Sequence, residues 1–95
     1  MTSAAMVKSR ELEFVNKRGL HARASARFVQ VAEGFAAEVK VSRDGTTVGG
    51  TSIMGLMLLA ASPGCSIVVE ASGPQAEDVL DALETLVADR FGEEE

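Results

Sequence analysis

The chain has one cysteine, one histidine, two prolines, and neither tryptophan nor tyrosine. Each scarcity excludes something. A single thiol, Cys65, forms no intramolecular disulfide and no cysteine-based zinc cluster, so the fold must hold by packing alone. A reducing, cytoplasmic compartment is therefore expected. A single imidazole, His21, rules out multi-histidine metal sites, and no metal or cofactor is expected. Aromatic residues make up 4% of the chain and all are Phe. That removes the stacking platforms on which single-stranded nucleic acid is usually held. Long apolar runs are missing too. The longest, Ile53 to Ala61, has nine residues, while a membrane helix needs ~20. Met1 to Val7 lacks the apolar stretch of a signal peptide, so neither export nor membrane insertion is expected. Basic residues are missing from the second half, where Arg90 stands alone against ten carboxylates.

What is present is ordinary for a soluble domain: 95 residues, 46% apolar and 24% charged. That length suits a single domain across 1–95, with an ordered core of about 7–91. The halves differ in charge. Residues 1–43 carry net +4 and residues 44–95 net −9, giving −5 in all. Such asymmetry suits an anionic partner for one surface, or simply solvated outer faces. Overall acidity argues against nucleic acid as that partner.

Hydrophobic periodicity divides the chain into short elements. Leu12 and Phe14 alternate with Glu11 and Glu13, as in a strand wet on one face. From Ala22 to Glu33 the apolar positions Ala24, Phe28, Val31 and Ala32, with Phe35 beyond, follow helical spacing. Gly34 reads as a left-handed stop. Val39 and Val41 mark a second strand, Asp44-Gly45 a hairpin turn, and Thr46 to Gly49 a short third strand. Ser52 opens a brief apolar helix running to about Ala60, ended by Pro63-Gly64. Ile67, Val69 and Ala71 mark a fourth strand. Gly73-Pro74 places proline in the first turn of a last helix, with Glu77 and Asp78 at its positive end. Val79, Leu80, Leu83, Leu86, Val87 and Phe91 form its apolar stripe; Gly92 stops it and Glu93 to Glu95 fray. The order β-α-β-β-α-β-α predicts an α+β fold, a two-layer open-faced β-sandwich. Its four-stranded antiparallel sheet is covered on one face by three helices. Periodicity leaves the strand order open.

One stretch carries chemistry: Gly19-Leu20-His21-Ala22-Arg23-Ala24-Ser25-Ala26. His21 falls at the N-cap of the first helix, where the N–H groups of Ala22, Arg23 and Ala24 have no partners within the helix. The helix dipole adds partial positive charge there, making an anion site. Arg23 supplies a guanidinium that forks to phosphate oxygens, and Lys17 and Arg18 deepen the positive field. Hydrolysis normally needs a nucleophile and a separate oriented base, and no second histidine exists to serve. An imidazole is largely uncharged and nucleophilic at neutral pH, so it could take a phosphoryl group directly. By itself, a histidine at a helix start is more often a plain cap.

Gly-Leu-His-Ala-Arg resembles the active-site stretch of the HPr family, the histidine-containing phosphocarriers of the bacterial phosphotransferase system. The resemblance runs from about Val7 to Phe91. It includes Asp44-Gly45, Thr51-Ser52-Ile53-Met54-Gly55-Leu56 and the last helix. It implies that Enzyme I, charged by phosphoenolpyruvate, phosphorylates His21 at Nδ1, and that the group passes to IIA-type acceptors. Arg23 is then the phosphate-stabilising neighbour. Ser52 matches the regulatory serine of a dedicated HPr serine kinase/phosphorylase, besides being an N-cap. The implied docking patch comprises Arg18, Ala22, Arg23, Arg27, Ile53, Met54 and Met57. Six apolar residues on one short helix cannot all face inward, and methionine suits a surface with several partners. Ala24 stands where many carriers have proline. Arg18, with Asn16-Lys17, Leu56-Met57-Leu58-Leu59 and Glu70 to Gln75, looks more like the nitrogen-branch type, NPr. The expected protein is a monomeric stoichiometric carrier rather than a turnover enzyme. Two other readings stand beside it. One is a regulatory module docking through Ile53–Met57 and switched at Ser52; the other is a sandwich binding an anionic metabolite without covalent chemistry. Cys65, expected on a strand edge without a basic neighbour, reads as inert.

Overall fold

Period-two alternation shows most clearly at Val39 and Val41 and at Ile67, Val69 and Ala71, whose apolar side chains share one face of a four-stranded sheet. In the computed structural model, which describes residues 7–14, 21–59 and 65–92, β1 is Val7–Glu13 and α1 is Ala22–Glu33. Then come β2 (Glu38–Arg43), β3 (Thr46–Gly49), α2 (Ile53–Leu58), β4 (Ser66–Ser72) and α3 (Ala76–Ala88), and a 3-10 turn at Arg90–Gly92. The sheet order is β1-β4-β2-β3, with every neighbouring pair antiparallel. β4, last in sequence among the strands, thus slots between the first two. Val39, Val41, Ile67, Val69, Ala71 and Leu12 turn to the helix side and are buried. Ser9, Glu11, Glu38, Lys40 and Val68 face water. The predicted architecture is the one observed.

The helix layer buries Ala24, Phe28, Val29 and Ala32 of α1 and Val79, Leu80, Leu83 and Val87 of α3 against that face. Asp44-Gly45 makes the β2–β3 turn with φ of 52° and 83°, the doubly left-handed geometry of a two-residue hairpin. β3 is only four residues long, which limits edge-to-edge pairing. At the other edge, β1 is tied to α3 through Lys8–Glu77 (3.1 Å), Arg10–Asp81 (2.6 Å) and Arg10–Glu84 (2.8 Å). The Asp81 hydrogen bond, assisted by Glu84, raises the Arg10 guanidinium above its ordinary value. A raised basic group contributes stability below its unfolded titration point, so this contribution disappears only in strong alkali.

Three helix boundaries differ from expectation. Gly34 caps α1 at φ −80°, not in the left-handed region, because its N–H closes a tight turn onto the Val31 carbonyl at 3.1 Å. Pro74 lies before the start of α3, whose N-cap is Gln75. The Gln75 side chain leaves its helix uncapped and accepts from Ala36 N–H at 2.7 Å, while Gln75 N–H donates to the Ala36 carbonyl at 3.0 Å. Gly73, at φ +115°, allows that approach: a Cβ there would stand 3.0 Å from the Ala36 carbonyl oxygen. Finally, α3 ends at Ala88, and Arg90 and Phe91 are left-handed at φ 57° and 56°. A left-handed L-residue costs ~1–2 kcal/mol. Burial of the Phe91 ring, stacked on Phe14 at 5.9 Å, offsets it. The expected ends at Ala60, Pro63-Gly64 and Glu93 to Glu95 lie outside the described residues.

Phe91→Ala removes both the stack and a fully buried ring. Urea unfolding should show a loss of about 3–5 kcal/mol, large for a domain of this size.

Candidate functional site

An α-helix starts with donors that need acceptors, and at α1 the acceptor is an imidazole. His21 is the N-cap, with extended backbone (φ −79°, ψ −177°), and its Nδ1 accepts from Arg23 N–H at 3.2 Å. Its carbonyl takes the first helical bond, from Ser25 N–H at 2.8 Å. A ring nitrogen that accepts carries a lone pair and no proton, so the proton of the neutral ring resides on Nε2. The unprotonated nitrogen therefore faces the helix amides, and any group bonded to it is held at the positive end of α1. The ring is partly exposed.

Around it, the side chains of Ala22 and Arg23 are exposed and that of Ala24 is buried. Toward the expected anion site Ala24 can offer only its backbone. Arg27, exposed and one turn along from Arg23, lies on the same helix flank with its guanidinium against Gly92. Arg18, Lys17 and Gly19 lie outside the described residues. Ser25 is fully buried, although the spacing argument placed only apolar side chains on that face.

Helix α2 rests against α1 and β3. Ser52 caps it, its Oγ accepting from Gly55 N–H at 3.0 Å. The six apolar residues weighed in the sequence divide cleanly: Leu56 and Leu59 are 0% and 4% exposed, while Ile53, Met54, Met57 and Leu58 are 41%, 77%, 44% and 77% exposed. Leu58 is therefore exposed beside the three residues that the expected docking patch includes. The signal was available, since Leu58 is one helical turn from Met54. Four large apolar side chains are thus exposed on one short helix, an arrangement compatible with the expected docking patch.

Cys65 corrects an expectation. It precedes β4, a central strand, and it has a basic neighbour: Arg43 Nη2 donates to its Sγ at 3.3 Å. The antiparallel β2–β4 register, with Ser42 opposite Val68, brings together residues that are 22 apart in sequence. No cluster of three or more metal-ligating side chains exists among the described residues. None of the described helices is long and apolar enough to cross a membrane.

Comparison with known proteins agrees with the geometry. A family profile described as "PTS HPr component phosphorylation site" matches residues 8–89. The phosphocarrier protein HPr of Cupriavidus necator is 49% identical over 86 residues, covering 90% of this chain and 97% of the relative. The phosphocarrier protein NPr of Escherichia coli is 37% identical over 90 residues, covering 94% of this chain and all of the relative. Among solved structures, an HPr from Thermoanaerobacter tengcongensis superposes with a TM-score of 0.88 at 41% identity, covering 93% of this chain and 99% of that one.

The cap at α2 has a measurable value. Ser52→Ala should lower stability by about 1 kcal/mol in chemical denaturation, with faster amide exchange at Gly55 than at Val79.

Proposed function

Since the chain belongs to the HPr family of phosphocarriers, we propose that His21 takes a phosphoryl group from phospho-Enzyme I at Nδ1 and passes it to IIA-type acceptors. The relay starts from phosphoenolpyruvate and operates in the cytoplasm. One observation carries the assignment of the atom: Nδ1 is the ring nitrogen that meets Arg23 N–H, 3.2 Å away.

The step needs little from the protein beyond placement and charge. The Nδ1 lone pair forms a bond to phosphorus while the donor's bond to phosphorus breaks, its electron pair staying with the donor. Arg23 N–H, which meets Nδ1 in the unmodified protein, becomes a donor to a phosphoryl oxygen. The Arg23 guanidinium supports the same charge. Charged hydrogen bonds of ~1.5–3 kcal/mol hold the group without trapping it. The chain is consumed and regenerated as a stoichiometric carrier. Partners dock on α1 through Ala22, Arg23 and Arg27, with Arg18 before it, and on α2 through Ile53, Met54, Met57 and Leu58. Each partner in turn uses this face, which suits a monomer.

Ser52 is the regulatory position in this reading, modified by an HPr serine kinase/phosphorylase. A phosphoryl dianion at the head of α2 leaves the domain folded and repels acidic partners beside the apolar patch.

Incubation with Enzyme I and phosphoenolpyruvate should add one phosphoryl group that is labile to acid and stable to alkali. His21→Ala should abolish it, and label surviving that change would overturn the assignment. Ser52→Asp should retain the fold by circular dichroism while slowing phosphorylation ~10-fold or more. An unchanged rate would remove Ser52 from the scheme.

A further inference from the structure

Helix α2 has six residues, too few to persist without tertiary support, and no basic residue in its last turn. Its C-terminal carbonyls must therefore find donors elsewhere. One donor comes from the sheet. Arg43, the last residue of β2, sends Nη1 to the Leu59 carbonyl at 2.7 Å, where Leu59 is the C-cap of α2. Its Nη2 reaches Cys65 Sγ at 3.3 Å. Asp44 Oδ2, at 3.8 Å, stands beyond hydrogen-bond distance and leaves this fork intact.

The second arm ends on the residue just before β4. The Cys65 carbonyl accepts from Phe14 N–H at 2.9 Å, and Phe14 is buried and stacked on Phe91. A single guanidinium, itself only 25% exposed, thus joins the end of α2, which packs on the helix that His21 caps, to the residue that precedes β4. We propose that Arg43 is a positioning residue, setting the apolar face of α2 in a defined place relative to His21.

The reasoning rests on the phosphoryl-carrier reading above and extends it to a residue that never touches the phosphoryl group. A partner must lie on α2 and present phosphorus to Nδ1 at the same time, so the spacing between the two is part of the reaction geometry. Lysine keeps the charge at this position, but its compact ammonium cannot reproduce the planar two-pronged donation.

Arg43→Lys and Cys65→Val, the latter removing only the sulfur arm, test this in steady-state phosphorylation by Enzyme I and phosphoenolpyruvate. Arg43→Lys should raise the KM of the chain as a substrate of Enzyme I roughly tenfold with kcat within about twofold, and still reach one label on His21. Cys65→Val should raise KM by about threefold. A KM unchanged in Arg43→Lys, with thermal stability alone reduced, would reduce Arg43 to a structural tie. Should Arg43→Lys not fold, an unchanged KM in Cys65→Val overturns the proposal. Failure of the unsubstituted chain to take up label would instead overturn the carrier reading, so the two failures are distinct.

Discussion

An imidazole nitrogen occupies the place at the head of α1 that a serine or aspartate oxygen commonly fills, and the candidate chemistry follows from that substitution. Serine at a cap satisfies a backbone donor and does nothing further. Histidine at the same place satisfies the same donor through a nitrogen whose lone pair is nucleophilic. The 3.2 Å contact from Arg23 N–H thus serves two ends. It orients the ring, and it ensures that a group bonded to Nδ1 meets amide donors, the positive end of the helix and the adjacent guanidinium. In the proposed transfer, exchanging this modest contact for one to a phosphoryl oxygen would cost little.

The rest of the fold keeps that helix start in position and keeps its surroundings available. α3 is fastened to the sheet by Phe91 under the stack with Phe14, and to the edge strand by the Lys8 and Arg10 ion pairs. Those surface pairs are each worth only ~0–1 kcal/mol, so packing carries most of the load. α1 lies across the same face of the sheet, with α2 against it. That leaves α2 with one buried side, Leu56 and Leu59, and one side open to solvent. A six-residue helix with four exposed large apolar side chains would be a liability in a protein without partners. The proposed docking role would account for it.

Much of this was readable from local signals. β2 and β4 obey period two, α1 obeys helical spacing, and Ser52 and Asp44-Gly45 act where their chemistry requires. Gly-Leu-His-Ala-Arg singles out His21 and Arg23, and His21 is the N-cap that its place in the pattern indicates. The errors share a cause. Gly34 was given a left-handed φ from residue type alone, whereas the tight turn to Val31 needed none. Pro74 was placed inside α3 from propensity, whereas the exchange of hydrogen bonds between Gln75 and Ala36 moved the boundary. Phe91 was counted into the helix by spacing, yet it reaches the core from a left-handed turn. In each, a contact distant in sequence outweighed a local preference.

The division between the two levels is physical. Backbone propensity, hydrophobic period and side-chain chemistry act over a few residues, and they determined the element order, the half-wet sheet and the histidine at a helix start. Strand order, the outward turn of Leu58 and the grip of Arg43 on Leu59 and Cys65 depend on which elements become neighbours. Neighbourhood is a property of the packed chain: β4 pairs with strands that precede it by dozens of positions, and no local preference encodes that choice. Burying the apolar faces of the sheet and the helices at once made the decision.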